Sequence, residues 1–172
     1  MCKTERTSHV NDSTGTGDFA AALEKLGSMP AQLAKVAAAL QPSKWKMRTS
    51  DGSFSLTEHA CHLRDIEIEG YRARLERILG ETKPALPDLD GAALARARDY
   101  HRQDFGKAQA VFAAVRADLL QRLGGLSAEE RHRTGILEGA GEITIEGLVA
   151  KMLEHDGEHR AELEQLQREL GL

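Results

Sequence analysis

Hydrophobic residues recur at intervals of three and four along most of the chain, which is the spacing of one buried face of an α-helix. The pattern predicts three long helices and one broken helix, at residues 55–80, 92–123, 144–170 and 18–40. Gly27 and Pro30 interrupt the broken helix, because proline has no backbone N–H to donate inside a helix. No alternation of apolar and polar residues persists long enough to predict a β-strand. We therefore predict an all-α fold, an up-and-down four-helix bundle.

Polar residues at the helix starts and glycine at the helix ends support these limits. Ser55 precedes Glu58 by three residues, which is the spacing of a capping box, and Gly124–Gly125 ends the helix at 92–123. Between the helices we predict loops at 41–53 and 83–91 and an irregular stretch at 126–142 with one short helix, Ser127 to Arg131.

Residues 1–17 are rich in Thr, Ser, Asp and Gly, and we predict that they form a disordered leader ahead of a single domain over residues 18–172. They lack the apolar core of a secretory signal, and no apolar run in the chain approaches the roughly 18 residues that span a bilayer. The two cysteines, Cys2 and Cys61, are too few for a disulfide framework and favour a reducing compartment. These features predict a cytoplasmic protein without a membrane partner.

The composition narrows the choice of partner and of core. The formal net charge is -4, which argues against a nucleic-acid partner because such proteins usually present a basic face. Aromatic residues supply only 4% of the chain, so Ala, Leu, Ile and Val must fill the interior, which suits closely packed helices.

Two histidines, His155 and His159, stand where the apolar stripe of the last helix calls for leucine. Residues four apart lie one turn apart and about 40° apart around the helix axis, so both rings can face one point in the core. Imidazole nitrogens converging in an apolar setting suit a borderline metal ion such as Zn²⁺ or Ni²⁺. A lone buried histidine is more often satisfied by a hydrogen bond, but a pair at this spacing favours a metal ion.

The predicted helix at 55–80 offers His59 and His62 as a third ligand, with Asp65 one turn further along the same face. Spacing leaves open which histidine points inward. Asp65 and Asp156 are candidates for orienting a ligand imidazole through a hydrogen bond.

Two other metal motifs do not fit the chain. Residues 155–159, HDGEH, match the H-x-x-E-H string of inverted zinc proteases, but that site needs a further ligand well downstream and only thirteen residues follow His159. A ferritin-like di-iron site needs two Glu-x-x-His motifs, which are missing at the relevant positions.

The residues around these histidines resemble the DinB superfamily. Phe54-Ser55 followed by His62-Leu63-x-Asp65 is similar to its W-S-x-x-x-x-x-x-H-L-x-D pattern, with Phe54 where the family usually has Trp. The stretch from Met152 to His159, with its H-x-x-x-H pair, is similar to the family's closing helix. The resemblance extends from about Met29 to Leu170.

The resemblance implies a four-helix bundle that binds one divalent metal ion through His62, His155 and His159, with His59 as the second choice. Zinc and nickel are the expected ions, with iron and manganese as alternatives. It also implies a homodimer. The characterised branches of the family are metal-dependent transferases or isomerases that use a low-molecular-weight thiol, which here would act on an electrophile.

Three functional hypotheses follow. The first is a metal-dependent enzyme, because three protein ligands leave an ion with open positions; it would be a thiol S-transferase or, as an alternative, a hydrolase. The second is a non-catalytic metal-dependent binding or stress-response module. The third is a metal-free interaction scaffold. No catalytic residue other than the ligands is identified.

Overall fold

The computed structural model describes residues 13–171, with backbone alone for residues 13–16, and this part of the chain folds into eight α-helices and three short strands. The helices are α1 (Ser13–Gly27), α2 (Met29–Ala39), α3 (Leu56–Asp65), α4 (Ala73–Gly80), α5 (Gly91–Ala97), α6 (Phe105–Gly124), α7 (Ala128–Arg131) and α8 (Ile145–Leu170). The strands are β1 (Ala85–Leu86), β2 (Thr134–Leu137) and β3 (Gly141–Thr144).

The first helix begins at Ser13, whereas the sequence predicted a start at Asp18. Residues 1–12 of the predicted leader lie outside the described residues, so the leader and the single domain stay predictions. The interruption predicted at Gly27 to Pro30 is present as a turn at Ser28 between α1 and α2.

The predicted helix at 55–80 is confirmed as one continuous rod, with an unexpected change of pitch in its middle. Its start is the predicted capping box: Ser55 Oγ accepts from the Glu58 backbone N–H at 3.3 Å, and a Glu58 carboxylate oxygen accepts from the Ser55 N–H at 2.9 Å. Between α3 and α4 the segment Ile66–Arg72 is a π-helix, a wider turn with bonds from residue i to i+5.

The prediction of one long helix at 92–123 is wrong, because the chain breaks between α5 and α6. Asp99 adopts a left-handed backbone conformation with φ 46°, and a single 3₁₀ turn, Tyr100–Arg102, follows it. Asp104 then caps α6 by accepting from the Lys107 N–H at 2.7 Å. The break carries the Tyr100 hydroxyl to Asp65, to which it donates at 2.7 Å.

A small sheet, absent from the prediction, covers one end of the bundle. Strands β2 and β3 form a hairpin, and β1 pairs parallel to β2 with Ala85 opposite Ile136. The strands have two to four residues, which is too short for an alternating pattern to show in the sequence. Gly139 and Gly141 have positive φ in the hairpin turn, a conformation that glycine adopts without steric cost.

The helices form a bundle of four rods: α1 with α2, residues 56–80, α6, and α8. Ion pairs join Glu67 to Arg116 and Glu76 to Arg122, so residue numbers rise together along the second and third rods and these two rods run parallel. The four-helix bundle is confirmed, with two parallel pairs in place of simple alternation.

The α1–α2 rod is antiparallel to α6, because Gly27 lies beside Leu120 and Leu23 beside Gly124. Helix α8 is antiparallel to the second rod, so the α1–α2 rod and α8 are parallel as well. Because the second and third rods are parallel, the connection at residues 81–104 has to run back along the bundle.

The core consists of two apolar clusters separated by a polar layer. One cluster contains Leu33, Phe112 and Leu163, and the other contains Leu75, Leu119 and Met152. The buried charged residues Glu67, Arg116 and Asp156 lie along their helices between these two groups. None of the helices in the described part of the chain is both long and apolar enough to cross a membrane.

Candidate metal centre

Three imidazole rings meet at one point on the wall of a cleft. His62 projects from α3, and His155 and His159 project from successive turns of α8, which runs antiparallel to α3 at this point. His155 Nε2 lies 3.1 Å from His62 Nε2 and 3.2 Å from His159 Nε2. The structure thus brings together the three histidines that the sequence resemblance predicted as ligands.

Hydrogen bonds among the three rings cannot account for the close approach of these nitrogen atoms. An imidazole nitrogen carries either one hydrogen or one lone pair, whereas His155 Nε2 faces two other nitrogens at hydrogen-bond distance. Two nitrogens bound to one first-row ion, with bonds of about 2.0–2.1 Å, are separated by about 3.0–3.4 Å. The observed separations fall in that range, so the donor set fits a single divalent ion.

Two of the rings, those of His62 and His155, are also in the protonation state that a metal ion requires. Burial, followed by the neighbouring His159, lowers the pKa of His62 to about 4 and that of His155 to about 2. Both rings are therefore neutral near pH 7, and each has a lone pair available to a cation.

Glu162, which the sequence reasoning missed, contacts the outer nitrogen of His159. One of its carboxylate oxygens lies 2.9 Å from His159 Nδ1. Because the carboxylate accepts a hydrogen bond there, the proton of His159 stays on Nδ1 and the lone pair stays on Nε2. The available signal was the i+3 spacing from His159, which places both side chains on neighbouring turns of α8.

His59 lies behind the three rings rather than on the cleft. Its Nδ1 is 3.1 Å from His159 Nδ1 and 3.7 Å from the Glu162 carboxylate, so His59, His159 and Glu162 form a second cluster of donor atoms. Burial lowers the pKa of His59 to about 3. His59 thus contacts His159 at Nδ1, the same ring nitrogen that Glu162 contacts.

The two aspartates predicted to orient a ligand lie in other networks. Asp65 accepts from Arg64, Arg98 and Tyr100, and Asp156 accepts from Arg116. Within residues 13–171, neither carboxylate hydrogen-bonds a histidine. Arginine side chains donate to both carboxylates, and Tyr100 also donates to Asp65. The carboxylate that contacts a histidine of the site is that of Glu162.

The cleft beside the histidines has a volume of about 490 Å³ and opens to solvent. The ring of Phe54 packs 5.5 Å from that of His62, in the place where the family usually has Trp. Gly91, the first residue of α5, crosses so close to His62 that a Cβ atom there would lie 2.4 Å from His62 Cε1. Phe54 and the start of helix α5 thus contact the His62 ring from two sides.

Cys61 does not belong to the site. It is fully buried, contacts the Gln103 side chain at 3.5 Å, and is not among the residues that line the cleft. Burial raises its pKa to about 11, so its thiol remains protonated at neutral pH.

Comparison with known proteins agrees with this architecture. The sequence profile of the DinB superfamily matches residues 25–163, whereas no curated protein matches the sequence. Among solved structures, the fold is similar to that of YfiT from Bacillus subtilis, described as a probable metal-dependent hydrolase with an unusual four-helix bundle topology. The TM-score is 0.80 at 19% identity, and the match covers 98% of this chain and 94% of that one. Since the superfamily profile spans most of the sequence, the chain belongs to the DinB superfamily.

Proposed function

We propose that this protein is a divalent-metal-dependent enzyme that binds its ion through His62, His155 and His159. The observation that carries the proposal is the convergence of three Nε2 atoms on the wall of an open cleft. A closed structural site would surround the ion with four protein ligands, whereas three ligands beside a cleft leave a position for a reactant.

In this proposal the ion and the side chains have different roles. A divalent ion held here supplies Lewis-acid chemistry that lowers the pKa of a thiol or of water. The chain positions the ligands: Glu162 keeps the proton of His159 on Nδ1, and Phe54 and Gly91 hold the His62 ring. The apolar side chains of Phe54, Ile66 and Leu89 line the same cleft and limit its hydration.

We infer that the nucleophile is an external low-molecular-weight thiol and that the reaction is its transfer to an electrophile. Cys61 is buried away from the cleft, and no cysteine is among the described residues that line it. A small thiol from solution can enter the open cleft, where the described part of the chain supplies none. The proposal follows the family resemblance and the open cleft.

Hydrolysis is the second candidate. Glu158 and Glu162 line the cleft next to the histidines, so either carboxylate could take a proton from a water molecule that enters the cleft. The description of YfiT as a probable metal-dependent hydrolase supports testing this reaction too.

The test is a panel of electrophiles assayed with metal-loaded and chelated protein, with and without added thiol. Turnover that needs both metal and thiol, and that His155→Ala abolishes, supports the transferase. Turnover that needs metal alone supports the hydrolase. Stoichiometric metal without turnover favours the non-catalytic binding module, and failure to bind zinc, nickel, iron or manganese contradicts the metal proposal.

We further propose that the ion is zinc or nickel, that the protein is cytoplasmic, and that it forms a homodimer. The ion choice rests on the three imidazole ligands, which both metals accept. The dimer rests on the family resemblance. Metal analysis of the purified protein and sedimentation at several concentrations test the first and the last.

A further inference from the structure

We propose that Tyr71 and Arg74 form an anion-binding subsite beside the three histidines, which takes a carboxylate group of the thiol. The inference deepens the proposed function and rests on it. Both residues line the cleft that contains His62 and His155.

The π-helical segment is what places Tyr71 there. The residues of this rod that line the cleft are His62, Ile66, Tyr71 and Arg74. In a regular α-helix the residue one turn after Ile66 would be Gly70, at i+4. The wider π turn moves that position to i+5, so Tyr71 takes it. Such a local widening is often found at functional sites.

Tyr71 presents a hydroxyl group without a partner. The residue is only 6% exposed, and its ring stands edge-on to that of His155 with the centroids 5.9 Å apart. Its hydroxyl makes no hydrogen bond to another residue in the described part of the chain. Because Tyr71 lines the cleft and its hydroxyl has no acceptor within the described residues, the hydroxyl can donate to an acceptor on a ligand.

Arg74 is anchored on one side and free on the other. The residue is 9% exposed; its Nη2 donates to the Pro87 carbonyl at 2.8 Å and lies 3.6 Å from the Asp88 carboxylate. Its Nε is buried and has no partner among residues 13–171. The Asp88 side chain is 74% exposed, and such an exposed ion pair is weak and easily exchanged.

These donors match one ligand chemistry. The Arg74 guanidinium only donates hydrogen bonds, and the Tyr71 phenol donates in its neutral form. A carboxylate accepts from both, and a planar guanidinium binds it with favourable geometry. The carboxylates of Asp88 and Glu158 on the same cleft disfavour a second anion, so the subsite selects a ligand with one acid group at this end.

The experiment uses Co²⁺-loaded protein, whose thiolate-to-cobalt absorption reports thiol binding without any turnover. Mercaptocarboxylates of two to four carbons are titrated against the alkanethiols of the same length. We expect the acids to bind about tenfold to a hundredfold more tightly, as for charge-assisted hydrogen bonds. Arg74→Gln and Tyr71→Phe should each remove most of this preference, and Arg72→Gln, on the same segment but outside the cleft lining, should retain it.

Equal binding of the two thiol series by the unmodified protein overturns the subsite and leaves the metal proposal intact. Failure to bind cobalt or any thiol contradicts the proposed function instead. The subsite is then decided on metal-free protein, by nuclear magnetic resonance of the Arg74 Nε–H group: propionate should shift this signal and propanol should not. Should Arg74→Gln misfold, Tyr71→Phe, which removes one oxygen atom, still decides the outcome.

Discussion

His159 uses both nitrogens of its ring. Its Nε2 faces His155 across the cleft, and its Nδ1 faces the Glu162 carboxylate at 2.9 Å. Because the carboxylate determines which nitrogen carries the proton, it also determines that Nε2 has a free lone pair. The availability of Nε2 to a cation therefore depends on a side chain that contacts the other nitrogen of the ring.

Replacing Glu162 by Gln should weaken metal binding by about tenfold to a hundredfold, which is the usual cost of losing a partner behind a ligand histidine. The amide can donate as well as accept, so it no longer selects the tautomer of His159. Competition with a chromophoric chelator measures the affinity. The matched control is Glu164→Gln, which removes an equal charge from an exposed position of α8; an equal loss in both variants would contradict the role of Glu162.

At the residue scale, the sequence was sufficient to find the histidines but not their partners. The i, i+4 pair on an apolar stripe identified His155 and His159, and the family motif selected His62 over His59. Asp65 and Asp156 were equally plausible partners from spacing. Their carboxylates instead meet arginines and a tyrosine from other helices, and such long-range pairs leave no local pattern in a sequence.

Among the elements, α5 and α3 approach each other more closely than side chains normally allow. The contact is possible because residue 91 is glycine: a Cβ atom would lie 2.4 Å from His62 Cε1 and 2.9 Å from His62 Nδ1. Helix α5 therefore acts as a stop that limits the rotation of the His62 ring.

Gly91→Ala should displace the His62 ring and lower metal affinity by about tenfold or more. The unfolding free energy should fall by only about 1–3 kcal/mol, since the ring can turn away from the added methyl group. Calorimetric metal titration and urea unfolding measure the two effects. Gly80→Ala, where a Cβ atom would meet nothing within 4 Å, is the control; unchanged metal affinity in Gly91→Ala would show that the ring is not held by this contact.

A buried ion network joins the other elements. Arg116 of α6 donates to Glu67 of the π segment and to Asp156 of α8, and also to the Leu26 carbonyl at the end of α1. Burial raises the pKa of Glu67, and the arginine opposes that shift. The Arg116 guanidinium thus links all four rods by hydrogen bonds in the polar layer between the two apolar clusters.

Arg116→Met should cost about 3–5 kcal/mol of unfolding free energy, because it leaves two buried carboxylates without their cation. Arg122→Met serves as the comparison: its pair with Glu76 is largely exposed and should contribute no more than about 1 kcal/mol. Urea unfolding at neutral pH measures both. Similar losses of unfolding free energy in the two variants would mean that the buried ion network stabilises the fold no more than the exposed ion pair does.

The helix starts and the long helices followed from local signals, whereas the departures from them did not. The capping box at Ser55 and the turn at Ser28 are encoded within a few residues. The break at Asp99 depends on Tyr100 reaching Asp65 in another rod, and the π segment adds a residue to one turn without changing the helical character of the sequence. At the break, a tertiary contact thus accompanies the departure from local helical preference.

For the whole molecule, the neutral histidines make folding sensitive to acid. Burial holds the pKa values of His59, His62 and His155 at about 3, about 4 and about 2, below the value of about 6.5 for an exposed ring. Below pH 6.5 the unfolded chain takes up protons that the folded chain does not. The stability they contribute is therefore complete above that pH and is lost as the pH falls toward the folded values.

Chelated protein should lose stability between pH 6.5 and pH 5, by up to about 1.4 kcal/mol per pH unit for each of these histidines. Urea unfolding at several pH values measures the slope. His155→Gln should reduce the slope by about one such contribution. A flat profile in the unmodified protein would refute the neutral state of the buried rings.

The returning connection at residues 81–104 has a consequence for how the protein can diversify. It supplies Asp88, Leu89, Gly91 and Ala92 to the cleft, while the ligand histidines belong to the rods. One wall of the cleft therefore comes from a stretch of the gene that contains none of the three histidines. Mutations in that stretch can reshape this wall while His62, Tyr71, Arg74 and the histidines of α8 stay unchanged, so that a single bundle can acquire new reactions by exchanging one connection.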